Sequence, residues 1–369
     1  MPDAHRRRVI RRILVAFGPT AGHVYPALAF AAAYKAAFED AEILFAAAAD
    51  GTIDAVLAQE RIATLRVTGA PLADRPWRAR IGVVGSLSRG IIEARRLVAA
   101  SGTRLAVGFG GYTSGEVLVA ARAYGARTIL HEANARFGLA NWLSARVVDR
   151  VCVGWAGVDA RRLEFTGTPI RPEIAALAGV SRDVSFVHRA ARFLVTSGTG
   201  GSRFLATHVP PLLADVRAGG QDVEVLHQAE RDVLCDARDA YEQLGVDAEV
   251  VPHLDMAVAC RWADVVISRA GASTMAELAA AGLPAVLVPL ASSAANHQAA
   301  NAQRYHDEGA ALMVSETDWA RDRIAAHLIN LLGDGREWQA AHEAVRRFCV
   351  PDAGARMVAV CEQLMAGLW

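Results

Sequence analysis

VVISRAGASTMAELAAAGLPAVLVPLASSAANHQAANA, residues 265 to 302, is the stretch from which the fold is read. Ala263 and Val265 to Ile267 make an apolar run bounded by turn residues, which predicts a buried strand. Ala270-Gly271-Ala272 lets the backbone turn sharply, and a helix follows. Thr274 with Glu277 three residues on has the spacing of a capping box. Gly282 stands where a helix closes, and Pro284 stops the helix ahead of a second buried strand, Ala285 to Val288. Strand, glycine turn and helix N-terminus form an anion-binding geometry, because unpaired N–H groups and the positive end of the helix dipole converge on the turn. A phosphate or diphosphate is the natural occupant. Glu277 at this stage is either a helix cap alone or a ligand of whatever lies in the turn.

The same unit recurs along the chain. Ile13 to Phe17 is a β-rich run, followed by Gly18-Pro19-Thr20-Ala21-Gly22-His23 and by Pro26 in the first turn of an alanine-rich helix that extends to about Phe38. Further strands are expected at Ile43 to Ala46, Leu105 to Phe109 and Thr128 to His131. Residues 110–115 form a glycine-rich turn into a helix through Tyr124. Thr166 to Pro172 is turn-rich and is taken as an interdomain linker. The pattern then restarts with a strand at Phe193 to Thr196, the glycine loop 197–202 and a helix from about Arg203. Strands at Val223 to Leu226 and Glu249 to Val251 follow, then a helix from Asp255 to Trp262. Beyond the opening stretch the chain is expected to be helical, ending in a helix from Ala353 to Leu368 with Asp352 as its cap. ILVAFGPTAGH and FLVTSGTGGSR open the two halves alike. The expected fold class is therefore α/β, with two Rossmann-like doubly wound domains facing across a cleft: 1–167, and 168–351, with the last helix, 352–369, packed back on the first domain.

A chain of 369 residues is long enough for two such cores. Lys plus Arg and Asp plus Glu both number 39, so bulk charge gives no support for a nucleic-acid partner. Local charge is less even. Arg6, Arg7, Arg8, Arg11 and Arg12 crowd the N-terminus, and Arg75, Arg78, Arg80, Arg89, Arg95 and Arg96 alternate with Trp77, Ile81, Val83, Val84, Leu87, Ile91 and Ile92. That mixture suits an anionic membrane surface and equally suits a solvated arginine face. The five cysteines form no close pair, which suggests neither a disulfide framework nor a zinc site. No signal peptide is read, and the longest apolar region, residues 278–295, is broken by Gly282, Pro284 and Pro289. A cytoplasmic protein, peripheral on the inner face of the cell membrane, is expected.

Three glycine turns at helix starts, 18–23, 197–202 and 270–273, offer anion sites without the lysine of a P-loop, which disfavours ATP hydrolysis. The first turn lacks the GxGxxG spacing, which disfavours a nicotinamide enzyme. The chain also lacks an Asp-x-Asp pair, so a leaving diphosphate would be held by helix dipoles and neutral donors, with no metal and no cofactor. His131, Glu132 and Asn134 stand at the carboxyl end of a parallel strand, where α/β folds place their sites, although a buried structural histidine fits His131 as well.

These residues resemble the MurG-type glycosyltransferases of the GT-B fold. The resemblance is carried by GPTAGHVYPALA at 18–29, GFGGYTSG at 108–115, HEANARFGLANWLSARVVDRV at 131–151, TGTPIRPEI at 166–174, and RAGASTMAELAAAGLPAVLVPL with NHQAANA within 269–302. It implies an inverting, metal-independent transfer of a sugar, N-acetylglucosamine in the family, from a UDP-sugar donor to a lipid-diphosphate-linked muramyl acceptor. On the donor side it implies contacts of Arg269, Ala272 and Ser273 with the nucleotide diphosphate and sugar, of Glu277 with the ribose, and of His297, Gln298 and Asn134 with the sugar hydroxyls. Thr199 and Gly200 would lie in the diphosphate loop, Arg171 after the linker proline, and His253 at the uracil. On the acceptor side it implies Thr20, Gly22, Gly111, Tyr112, His131 and Glu132, with His23 as general base, a role suited to an imidazole.

The chain departs from the family pattern at Pro19 and Ala21, where MurG enzymes have glycines, and at Ala133, Thr168 and much of 197–202. A relative that glycosylates a different lipid-linked or natural-product acceptor therefore stays open. So do a sugar-nucleotide epimerase, which would use the donor pocket without an acceptor, and a non-catalytic donor-binding subunit.

Overall fold

The computed structural model describes residues 11–49, 51, 53–68, 80–157, 163–180, 182, 189–198, 201–291, 296–333 and 335–366, with the backbone alone for 80–89. Thr199, Gly200 and most of the basic-apolar stretch around 75–89 lie outside the described residues or side chains.

Two compact units emerge. Unit 1 comprises the described residues up to Ala133, those from Phe137 to Pro169, and those from Asp352 onward; unit 2 comprises Asn134–Arg136 and Ile170–Pro351. The elements of unit 1 are β1 (Arg12–Ala16), α1 (Ala21–Ala37), β2 (Glu42–Ala48), α2 (Asp54–Gln59), β3 (Leu65–Val67), α3 (Arg80–Ser101), β4 (Leu105–Gly108), α4 (Gly111–Tyr124), β5 (Arg127–Glu132), α5 (Leu139–Ser144), β6 (Arg150–Val153) and β7 (Leu163–Phe165). Unit 2 follows with α6 (Pro172–Ala175), β8 (Ala191–Thr196), α7 (Arg203–Ala218), β9 (Val223–Gln228), α8 (Leu234–Gln243), β10 (Asp247–Val251), α9 (Met256–Trp262), β11 (Val265–Ser268), α10 (Ala272–Ala281), β12 (Ala285–Leu287), α11 (His297–Asp307), β13 (Ala311–Met313), α12 (Arg321–Gly333) and α13 (Arg336–Arg346). The last helix, α14 (Ala353–Met365), belongs to unit 1.

Both sheets are parallel and doubly wound. Their strand orders, β3-β2-β1-β4-β5-β6-β7 and β10-β9-β8-β11-β12-β13, each reverse direction once, between β1 and β4 and between β8 and β11. At such a reversal the loops leaving two adjacent strands diverge to opposite faces, and the crevice at the carboxyl ends is where α/β sheets bind ligands. The strands are continuous apolar runs because helices cover both faces: all four residues of β4 and of β11 are buried. Unit 1 packs α1 and α14 on one face, where Val24, Phe30 and Tyr34 meet Met357, Cys361 and Met365. Its other face buries Val98, Val117, Leu118 and Ala121 from α3 and α4. The core of unit 2 runs from Phe193 and Val195 through Leu212 and Leu213 to Leu328 and Trp338.

Several local expectations change. The helix after β11 begins at Ala272 with Gly271 as N-cap and no side-chain cap, so Thr274 and Glu277 form no capping box. Gly282 does close that helix, in the left-handed conformation with φ 64°. Pro26 is the sixth residue of α1, which starts at Ala21 and not near Pro26. Asp352 stands at the N-cap of α14, but its carboxylate takes Arg356 Nε at 3.0 Å instead of capping the helix. Four strands were not anticipated: β3, β6, β7 and β13. All have three or four residues, too few to display a period, and β3, β7 and β13 are edge strands.

Candidate active site

In unit 1 the loops leaving β1 and β4 meet backbone to backbone. A Cβ added at Gly111 would lie 2.5 Å from the Cα of Gly18, and Gly111 has φ +79°, so only glycine meets both demands. The His23 imidazole covers this contact: a Cβ on Gly110 would lie 3.0 Å from its Cδ2, and one on Gly18 would lie 2.8 Å from its Nδ1. His23 Nδ1 and Thr20 Oγ1 are hydrogen-bonded at 2.9 Å, which fixes the ring's orientation at the start of α1. Gly22 is exposed there, and Pro26 carries no N–H to give to its carbonyl, so that oxygen loses its helical partner. Thr20 is exposed, and His23, Gly111 and Tyr112 are half-buried.

His131 and Glu132 turn out to be internal to unit 1. The His131 ring donates from Nε2 to the Gly167 carbonyl at 3.1 Å and lies against Phe109, and burial lowers its pKa to about 4, which keeps it neutral. Glu132 is 1% exposed and accepts from Asn141 Nδ2 at 2.8 Å and from the Gly138 N–H at 3.3 Å. His131 therefore ties β5 to the chain after β7, and Glu132 ties it to the residues that open α5. Because the chain leaves β5 at Glu132 and bonds back to residues 138–141, neither side chain is left at the surface where an acceptor-side role was expected.

In unit 2 the turn at Gly271 is built as its sequence suggested. Residues 271–274 are half-buried, and the N–H groups of Ala272, Ser273 and Thr274, in the first turn of α10, have no partner within the helix. Glu277 lies one turn further in, 5% exposed. Its Oε1 accepts from Arg171 Nε at 3.1 Å and Nη2 at 2.8 Å. Burial raises the pKa of this carboxyl, and the Arg171 guanidinium pulls it back down. Arg269, expected to reach the diphosphate, is turned inward. Its guanidinium is 9% exposed and donates to Ser202 Oγ at 2.8 Å, to the Val288 carbonyl at 3.2 Å and to Glu316.

The remaining predicted residues divide between α11, the 134–136 segment and the loop before α9. His297 opens α11 and its Nδ1 is buried with no hydrogen-bond partner. Gln298 Oε1 accepts the Leu290 N–H at 3.0 Å and so ties the start of α11 to Leu290. Asn134 Oδ1 accepts from Asn301 Nδ2 at 3.2 Å. Asn301, which was not singled out, is fully buried. It also accepts the Ala135 N–H at 2.8 Å and donates to the Ala270 carbonyl at 3.1 Å, joining the 134–136 segment to the glycine turn. Its position one helical turn after His297 was the available signal. Ser202 and Glu316 were likewise missed as partners of Arg269, since they lie 67 and 47 residues away in sequence. His253 is exposed on the loop before α9, whose N-cap Asp255 accepts the Ala257 and Val258 N–H groups. Among the described residues, no three His, Cys, Asp or Glu side chains are grouped so as to hold a metal ion.

Residues 13–153 match the model of the glycosyltransferase family 28 N-terminal domain, and residues 192–355 match that of the family's C-terminal domain. A protein of Halorhodospira halophila is 38% identical over 366 residues, which cover 97% of this chain and 99% of that protein. It is named UDP-N-acetylglucosamine–N-acetylmuramyl-(pentapeptide) pyrophosphoryl-undecaprenol N-acetylglucosamine transferase. The chain belongs to glycosyltransferase family 28. Within that family it is MurG-type, and it is an enzyme. The crystal structure of Acinetobacter baumannii MurG aligns over 96% of this chain and 99% of its own, with a TM-score of 0.75 at 24% identity. A UDP-N-acetylglucosamine 2-epimerase aligns over 96% of both chains, with a TM-score of 0.65 at 15% identity. Likeness at these identities establishes the GT-B fold alone, which transferases and epimerases share. Family membership is what separates the two here.

Proposed function

We propose that this glycosyltransferase moves N-acetylglucosamine from UDP-N-acetylglucosamine to the muramyl sugar of an undecaprenyl-diphosphate-linked acceptor. The observation that carries this is the 38% identity, over nearly the whole of both chains, to a transferase named for that reaction. Unit 2 is the donor unit. The N–H groups at 272–274 stabilise the diphosphate, aided by the loop that contains Thr199 and Gly200. Glu277 is oriented by Arg171 through Oε1, which leaves Oε2 to accept the ribose hydroxyls. Asn134, His297 and Gln298 address the sugar hydroxyls, and the backbone at His253 meets the uracil.

Unit 1 is the acceptor unit, with His23 as general base. The acceptor hydroxyl attacks the anomeric carbon on the face opposite the diphosphate. Its proton passes to the His23 imidazole as the carbon–oxygen bond to UDP breaks, and the electron pair leaves on the diphosphate oxygen, inverting the anomeric configuration. The Thr20 hydroxyl holds the ring for this step. No metal is needed, because the charge that grows on UDP is met by backbone donors.

A lipid-linked acceptor requires a membrane face. Leu139, Trp142, Leu143 and Val147 are all exposed on and just after α5, and Arg146 stacks over Trp142 at 3.2 Å. Such a cationic and aromatic surface supports peripheral contact of unit 1 with an anionic membrane on the cytoplasmic side. Among the described residues no helix is long and apolar enough to cross a membrane.

A second acceptor chemistry is supported by Pro19 and Ala21, which stiffen the loop that carries Thr20 and His23. The deciding experiment incubates the purified protein with a panel of UDP-sugars and with either the muramyl lipid or water, followed by mass spectrometry. The expected product is the lipid heavier by one N-acetylhexosamine, from UDP-N-acetylglucosamine alone. No transfer to that lipid would favour the other acceptor class, and an isomerised nucleotide sugar would make the protein an epimerase.

A further inference from the structure

Asn301 is the fifth residue of α11 and is fully buried, yet both polar atoms of its side chain are used within unit 2. Its Oδ1 accepts the Ala135 N–H at 2.8 Å, and its Nδ2 donates to the Ala270 carbonyl at 3.1 Å and to Asn134 Oδ1 at 3.2 Å. An amide nitrogen carries two protons, so Nδ2 has none left to give. The two backbone partners fix which way this amide faces: a flip would set N–H against N–H at Ala135 and oxygen against oxygen at Ala270. Asn134 is oriented in turn. Its oxygen faces Asn301, which places its own N–H donors on the other edge of its amide. Ala270 directly precedes the Gly271 turn of α10, and His297 lies one helical turn before Asn301 on the same side of α11. One turn further along α11, the buried Tyr305 hydroxyl donates to the Met275 carbonyl of α10 at 2.8 Å, so α11 is held against α10 independently of Asn301.

We propose that Asn301 is a positioning residue for sugar recognition: it holds Asn134 with its oxygen turned inward, so that Asn134 meets the donor sugar as a hydrogen-bond donor to a sugar oxygen. The proposal rests on unit 2 being the donor unit and on Asn134 addressing the sugar. An unrestrained asparagine presents either edge of its amide, and ordering it during binding would cost affinity; here the choice is made in advance. The effect belongs to the sugar and not to the nucleotide, because the N–H groups at 272–274 are set by the helix itself, whose Met275 N–H bonds the Gly271 carbonyl at 2.9 Å.

The test measures the dissociation constants of UDP and of UDP-N-acetylglucosamine by calorimetry for the wild type, Asn301→Ala, Asn134→Ala, Asn134→Asp and the double variant Asn134→Ala/Asn301→Ala, with a thermal midpoint to show that each is folded. No acceptor is present, so the result does not depend on which acceptor the enzyme uses. Asn301→Ala should weaken UDP-N-acetylglucosamine by about tenfold and UDP by less than about threefold. The double variant should bind the nucleotide sugar no more weakly than Asn134→Ala, since a residue that acts through another adds nothing once that other is gone. Asn134→Asp keeps an oxygen toward Asn301 and loses both donors, so it should lose the sugar as Asn134→Ala does, with UDP binding as the control for its added charge. That variant leaves Asn301 in place and reads the proposal even if Asn301→Ala does not fold. Wild-type affinity for the nucleotide sugar in Asn134→Asp would overturn the assigned orientation. Equal weakening of both ligands by Asn301→Ala, losses that multiply in the double variant, or unchanged sugar binding in Asn301→Ala or Asn134→Ala would each overturn the proposal. Failure of the wild type to bind either ligand would instead remove the donor assignment of unit 2, and the proposal with it.

Discussion

The two units share a fold and solve the same local problem in different ways. In unit 1 the strand-order reversal is closed by glycine against glycine: Gly18 and Gly111 approach so nearly that no Cβ fits, and the titratable group over that contact is His23. In unit 2 the residue after β11, Arg269, reaches Ser202 after β8 and Glu316 after β13, and the helix that follows carries Glu277 paired with Arg171. Two buried carboxyls differ in the same sense. Glu277 of unit 2 has its guanidinium, whereas Glu116 of unit 1, 4% exposed against α3, has neither oxygen hydrogen-bonded. On the proposed assignment, the first arrangement sets a histidine over closely packed backbone, and the second sets the first turn of α10 beside paired charges.

The contrast breaks first at His23. His23→Ala should lower kcat by about 10²- to 10⁴-fold, the usual contribution of a general base, as measured by steady-state transfer at saturating donor. Retention of near-normal turnover would remove the base from unit 1. Next, Gly111→Ala should cost roughly 3 kcal/mol in urea unfolding, because it combines a positive φ with a backbone clash. A neutral effect would mean that the two loops are not locked together.

Smaller still is a pH effect that sharpens the difference between paired and unpaired carboxyls. Burial, with Glu93 adding to it, raises the Glu116 pKa to about 7, so its proton is bound more tightly in the folded state. The associated stability is present below its ordinary value of 4.5 and is lost as pH rises through 7. Glu116→Gln should therefore gain up to roughly 3 kcal/mol on the wild type between pH 5 and pH 8 in urea titrations. His131, lowered to about 4, contributes the reverse: stability present above 6.5 and lost as pH falls toward 4. An advantage of Glu116→Gln that is the same at both pH values would refute the Glu116 assignment.

Much of this was legible in the sequence because it depends on short-range signals. Each central strand is an apolar run, and the glycine turns at 18–23, 110–115 and 270–273 announce the strand-order reversals. What sequence could not supply was the partner of each charged residue. Glu277 has the spacing of a cap with Thr274, but the helix starts at Ala272, and its partner is Arg171, 106 positions away. The resemblance assigns Arg269 to the donor, and only the sheet brings Ser202 and Glu316 to it. His131 and Glu132 occupy a strand end, as site residues do, and alternation along a strand does not say that the chain beyond will fold back over both. Among the strands of three or four residues, β4, β11 and β12 are legible as buried apolar runs, whereas β3, β6, β7 and β13 escaped notice because pairing, and not pattern, makes them strands.

The division of labour between the units is tested most directly by titrating UDP calorimetrically into the wild type, His23→Ala and Glu277→Ala. The expected outcome is a dissociation constant within about twofold of wild type for His23→Ala and about tenfold weaker for Glu277→Ala, the loss of hydrogen bonds to a charged group. Equal weakening in both variants, or unchanged binding by Glu277→Ala, would contradict the assignment of the donor to unit 2 and the base to unit 1.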